Sequence, residues 1–154
     1  MQRQWRSERE EDTEAAGAII GQRLKGGEVV ELRSDVGGGK TVFTRGLARG
    51  AGSTDTVASP TFTITKQYTV PDGRAVQQIV HADMYRLQDP GIMRHELADA
   101  VDADTVLVVE WADNIRGVLP DERLVVEIVP NADGSRTIHC EAPDSLQYVL
   151  EESS

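Results

Sequence analysis

Four groups of residues in this chain have types and spacings suited to handling a polyphosphate. The stretch Ser34-Asp35-Val36-Gly37-Gly38-Gly39-Lys40-Thr41 follows the apolar run "EVVEL" and departs by one residue from the phosphate-cradling pattern G-x-x-x-x-G-K-[ST], with Ser34 where the first glycine would stand. A loop between a buried strand and a helix aims its backbone N–H groups at one spot, and the helix dipole adds partial positive charge there. Asp35, Val36, Gly37, Gly38, Gly39 and Val42 would line that spot. Lys40 would reach the outer phosphates, and the Thr41 hydroxyl would bind a Mg²⁺ ion bridging them.

Glu110 ends the run "VLVVE" and is followed by Trp111. An acid at the carboxyl end of a buried strand beside the phosphate-loop strand can hold magnesium or polarise an attacking water. In "HADMYRL" the alternate residues His81, Asp83 and Tyr85 share one face of a strand. Asp83 is a second carboxylate that could order water or complete a metal shell. His81 reads as a structural histidine, since no Cys/His spacing accompanies it that would suit zinc. In "VASPTFTI" a threonine, Thr61, sits in a loop after the phosphate-binding helix, where nucleotide switches sense a terminal phosphate.

These residues need elements to hold them. Ala15, Ala16, Ile19, Ile20 and Leu24 recur at helical spacing between Glu8 and Leu24, before a glycine stop at Gly26 and Gly27. "EVVELR" (Glu28 to Arg33) is a strand, and "KTVFTRGLARG" a helix ending at Gly50. "TFTITKQYTV" and "RAVQQIVHADMYRL" flank the turn Pro71-Asp72-Gly73-Arg74 as an antiparallel hairpin. A short helix is expected over "PGIMRHELADAV", and "TVLVVEW" suits a strand buried on both faces. "RLVVEIVP" and "RTIHCEA" form a second hairpin around Asn131-Ala132-Asp133-Gly134, and "DSLQYVLEES" is expected to close the chain as a helix. The expected fold is α/β: one P-loop NTPase-like domain over residues 1–154, with a mixed, mostly parallel sheet carrying two hairpins and flanked by helices.

A chain of 154 residues is long enough to bury one core without disulfides. The lone cysteine, Cys140, excludes an intramolecular disulfide, and no apolar run approaches the roughly 18 residues of a membrane span. A cytoplasmic setting is expected, and the N-terminal stretch does not read as a secretory signal. Sixteen Lys and Arg against 26 Asp and Glu give a net charge of -10, which argues against this chain gripping nucleic acid directly.

Taken together and in this order, the four stretches resemble the TsaE (YjeE) family of small bacterial P-loop ATPases, which serve the threonylcarbamoyladenosine modification of tRNA. The family's opening serine, threonine and glycine match Ser7, Thr13 and Gly17; its G-D-L-G-A-G-K-T is matched by "SDVGGGKT", and its S-P-T-F/Y-T by Ser59 to Thr63. H-x-D-x-Y-R-L is matched by His81 to Leu87, and V-E-W-P by "VEWA". The resemblance implies a weak ATPase using ATP and Mg²⁺, stimulated by a TsaB–TsaD heterodimer that it resets between cycles. By position it makes Lys40, Asp83 and Glu110 the catalytic set, and Thr41, Glu110 and Asp83 the magnesium set. Thr61 becomes the switch threonine, Trp111 the tryptophan beside the nucleotide, and Ser7 and Thr13 candidates for adenine contacts. The partner would then hold the tRNA, in keeping with the acidic charge.

Two residues depart from the family pattern, Ser34 for the first loop glycine and Ala112 for the proline after Glu-Trp. A serine forced to positive φ would cost on the order of 1 kcal/mol relative to glycine. Two other functions share the phosphate loop: a small-molecule or nucleotide kinase, for which no lid-length segment is seen, and a non-catalytic module whose ATP only gates partner docking. The pair Asp83 and Glu110 favours hydrolysis over mere binding.

Overall fold

The computed structural model describes residues 1–34, 39–57, 65–71, 74–83, 102–110 and 119–151. Its strands are β1 (Gln2–Ser7), β2 (Val29–Arg33), β3 (Thr65–Thr69), β4 (Gln78–Asp83), β5 (Thr105–Glu110), β6 (Leu124–Pro130) and β7 (Arg136–Glu141), and its α-helices are α1 (Glu10–Gly21) and α2 (Lys40–Ala51). The strands form one sheet in the order β1-β7-β6-β2-β5-β4-β3. Its centre is parallel, through the pairings β6–β2, β2–β5 and β5–β4. Antiparallel pairings, β1–β7, β7–β6 and β4–β3, flank that centre. The mixed sheet with two hairpins is therefore present, with its parallel part confined to the four middle strands.

Burial explains why the middle strands carry the β-branched runs. All six residues of β5 are buried, as a strand covered on both faces requires. Val30, Leu32, Ile79, Val106 and Val108 share one apolar cluster with Ile20 of α1 and Phe43 and Leu47 of α2. The two helices approach each other through glycines. A β-carbon on Gly17 would collide with the Phe43 carbonyl oxygen, and one on Gly46 with the Glu14 carbonyl oxygen. Such close approach seats α2, and with it Lys40 and Thr41, firmly on α1.

Local chemistry sets the ends of α1. The Asp12 carboxylate accepts from the N–H groups of Glu8 (3.0 Å) and Arg9 (3.2 Å), closing the helix start. The helix stops at Gly21, earlier than the Leu24 expected from apolar spacing. Arg23 N–H and Leu24 N–H donate to Ile20 and Gly21 carbonyls in tighter i→i+3 turns, so Leu24 still reaches the core outside the helix. Glu28, expected to open β2, instead accepts from the N–H groups of Lys25 (2.7 Å) and Gly26 (2.6 Å) and from the Tyr148 hydroxyl (2.6 Å).

Two further differences have physical reasons. The C-terminal segment forms only a 3-10 helix over Asp144–Val149, buried through Leu146 and Val149. Strand β1 carries no apolar alternation in its sequence, being a mostly polar strand at the edge of the sheet that, among the described residues, pairs only with β7. The helix expected over 90–101 and the turn residues Asp72 and Gly73 lie outside the described residues. Among the described residues, no helix is long and apolar enough to cross a membrane.

Candidate active site

Ligands of open α/β sheets bind beyond the carboxyl ends of parallel strands, where neighbouring connections leave in opposite directions. Here that place is β2, whose neighbours are β5 and β6. Leu32 near the end of β2 pairs with Glu110 at the end of β5, and Glu110 pairs in turn with Asp83 at the end of β4. Three of the expected features, the β2 exit and both acids, thus meet at one edge of the sheet. The register that brings them there is a property of the fold and is not written in any one motif.

Helix α2 begins just beyond β2. Its N-cap is Gly39, held at φ 97°, a left-handed conformation that glycine adopts without strain. Among the described residues no side chain caps it. The first-turn N–H groups of Lys40, Thr41 and Val42 therefore face outward with the positive end of the helix dipole. Lys40 is largely buried, and its ammonium donates to the Ser34 carbonyl at 3.2 Å, just past the end of β2. Ser34 thus contributes through its backbone, which any residue would supply.

Glu110 is 2% exposed. Its Oε1 lies 3.3 Å from His81 Nε2, and neither atom has a hydrogen-bond partner among the described residues. A buried carboxylate charge is costly unless something answers it, which suits Glu110 to a cation or a polarised water at the oxygen that does not face His81. The donor set also fits magnesium: a hard cation that keeps several waters needs only one or two carboxylates and a hydroxyl besides phosphate oxygens. Glu110, half-buried Asp83 and half-buried Thr41 carry groups of these kinds. Among the described residues there is no cluster of three or more His, Cys, Asp or Glu of the kind a fully protein-ligated metal requires.

On the other side of the α2 start, Ser7 and Thr13 come together, their hydroxyls 2.6 Å apart. With Val42 they line a cleft of about 180 Å³. Arg136 completes it: the residue pairs with Ser7 across β1 and β7, and a β-carbon placed on Gly39 would come 2.6 Å from its Nη1. Sequence reasoning missed Arg136, because only the pairing of β7 with β1 carries it to the helix start. Its one sequence signal is an arginine just after a hairpin turn. Asp35, Val36, Gly37, Gly38, Thr61, Tyr85, Trp111 and Ala112 lie outside the described residues.

A strand, a loop and a helix at the switch point of a mixed sheet, with acids on the neighbouring strand ends, define an α/β domain of the P-loop NTPase-like class. The chain belongs to the TsaE family, whose model, Threonylcarbamoyl adenosine biosynthesis protein TsaE, matches residues 7–138. It is 40% identical over 137 residues to tRNA threonylcarbamoyladenosine biosynthesis protein TsaE of Bacillus subtilis, spanning 89% of this chain and 84% of that protein. The Treponema pallidum protein of the same name is 33% identical, over 83% of this chain and 92% of its own. The fold matches a crystal structure of Bacillus subtilis YdiB with a TM-score of 0.77 at 34% identity, covering 97% of this chain and 92% of that one.

Proposed function

We propose that this chain is a cytoplasmic, single-domain ATPase of tRNA threonylcarbamoyladenosine synthesis, hydrolysing ATP with Mg²⁺ and resetting a TsaB–TsaD heterodimer between cycles. Its place in the TsaE family supports the pathway. The observation that carries the hydrolysis reading is the register pairing of Asp83 with Glu110, beside the β2 exit and the uncapped α2 start.

Lys40 leaves the Ser34 carbonyl to meet the β- and γ-phosphate oxygens, where its charge offsets what develops during transfer. First-turn N–H groups of α2 hold the same oxygens, and the glycines 37–39 allow close backbone approach. When bound, magnesium would supply charge neutralisation between the outer phosphates, held by Thr41, Glu110 and Asp83. Of the two acids, Glu110 is the more buried and is the one that orients the attacking water and accepts its proton. Ser7, Thr13, Val42 and Trp111 contact the nucleoside, and Thr61 senses the terminal phosphate. With a net charge of -10 the chain acts on tRNA through its partner.

The test is an ATP hydrolysis assay of wild type and Glu110→Gln, each alone and with purified TsaB–TsaD heterodimer. Slow Mg²⁺-dependent turnover that rises with the heterodimer and is lost in Glu110→Gln is the expected result. Phosphate on a small acceptor would turn the reading to a kinase. Absence of turnover with the heterodimer present would leave an ATP-gated docking module.

A further inference from the structure

Buried histidines on apolar strand faces usually serve packing, yet His81 has a polar atom 3.3 Å from each of its ring nitrogens. The residue is fully buried in β4, between Tyr68 of β3, 2% exposed, and Glu110 of β5, also 2% exposed. Tyr68 Oη lies 3.3 Å from His81 Nδ1, and His81 Nε2 lies 3.3 Å from Glu110 Oε1. Three adjacent strands thus carry a polar file, Tyr68 to His81 to Glu110, beneath the carboxyl edge of the sheet. Neither Nε2 nor Oε1 has a hydrogen-bond partner among the described residues. An apolar side chain at position 81 would fill the same space without the desolvation cost of two ring nitrogens.

We propose that His81 is the positioning residue for Glu110: its Nε2 stands 3.3 Å from Oε1, so that a small turn of the ring or the carboxylate completes an Nε2–H···Oε1 hydrogen bond, while the Tyr68 hydroxyl donates to Nδ1 and so fixes which nitrogen carries the ring proton. The idea rests on the hydrolysis reading above, since it describes how the strand-end acid is held for that work. A carboxylate that must aim at a water or a cation has a free rotor at its end. One oxygen held by a rigid ring on the neighbouring strand leaves the other directed outward, toward the β2 exit. The logic is that of any base or ligand oriented by a third group, in which the far contact of the imidazole sets its tautomer.

Two measurements on the intact chain test the contact and the role separately. Long-range ¹H–¹⁵N spectra of wild type, with the His81 signals assigned from His81→Gln, are expected to show the proton on Nε2. Glu110→Gln is expected to move that signal and Tyr68→Phe to disturb the tautomer. A ring protonated on Nδ1 alone, or an Nε2–H signal unmoved by Glu110→Gln, overturns the proposal whatever the activity. In the ATPase assay with heterodimer, His81→Leu is expected to lower kcat about tenfold or more with KM for ATP within about twofold, a size usual for loss of an outer orienting partner. His81→Gln, whose amide can still donate, is expected to recover part of kcat. Unchanged kcat in a folded His81→Leu, or equal loss in both variants, overturns the positioning role. Failure of wild type to hydrolyse ATP would overturn the hydrolysis reading, and the positioning role with it, while the spectra still decide the contact.

Discussion

Asp83 and Glu110 are register partners across the parallel strands β4 and β5, so their side chains leave the same face of the sheet where both strands end. Parallel neighbours stand about 4.8 Å apart. Two carboxylates at that spacing share one field, and a divalent cation or a polarised water answers both. Asp83→Asn and Glu110→Gln are each expected to lower kcat about 100-fold or more, within the range for a lost acid–base or metal group. ATP affinity, read by titration with a fluorescent nucleotide, should stay within a few-fold of wild type. The double variant should fall little further than either single one, because the two act on one step.

Lys40 makes the opposite kind of contribution. Its ammonium donates to the Ser34 carbonyl at 3.2 Å beside the α2 start, where a phosphate oxygen would take that carbonyl's place. A hydrogen bond to a charged group contributes about 1.5–3 kcal/mol, and Lys40→Met is therefore expected to weaken ATP binding about 10- to 100-fold. Ser34→Gly restores the family glycine while leaving the carbonyl untouched. It should change affinity by no more than about threefold, which the same titration reads.

Features that repeat along the chain were legible in the sequence, and features that depend on pairing across it were not. The β2–loop–α2 unit and the acid ending β5 follow from short-range pattern: an apolar run, a glycine cluster, a second apolar run closing on a carboxylate. Strand β1 gave no such signal, since its side chains are mostly polar and it lies at the edge of the sheet as described. Arg136 reaches the α2 start only because β7 pairs with β1 and puts it opposite Ser7. His81 looked like packing, because its contact with Glu110 depends on the register of two strands separated by 21 residues of chain.

The α1–α2 crossing ties stability to site geometry. Gly46 lies against the Glu14 carbonyl and Gly17 against that of Phe43, with no space for a methyl group. Gly46→Ala forces the helices apart, and overpacking of this kind costs about 1–3 kcal/mol. Thermal unfolding should show the loss directly. Because Lys40 and Thr41 open the displaced helix, nucleotide affinity should fall as well.

Cys140 provides a test that is independent of the site. It is fully buried in β7, and burial pushes its thiol up to about 12 from 9.0, the nearby Arg3 only partly opposing this. A raised folded-state pKa means the protonated thiol is favoured by folding. That contribution is complete below pH 9.0 and is lost as the pH climbs toward about 12, because the unfolded chain ionises first. Denaturant unfolding should therefore show wild type losing stability relative to Cys140→Ala above pH 9.0, by at most about 1.4 kcal/mol per pH unit. Taking the difference between the two proteins at each pH removes the constant cost of the cavity left by alanine. In the native protein at pH 8 the thiol should also resist alkylation, reacting only after denaturant is added. Rapid modification of the folded chain, or a stability difference that stays flat across that window, would show that the thiol meets solvent and is not desolvated in the sheet.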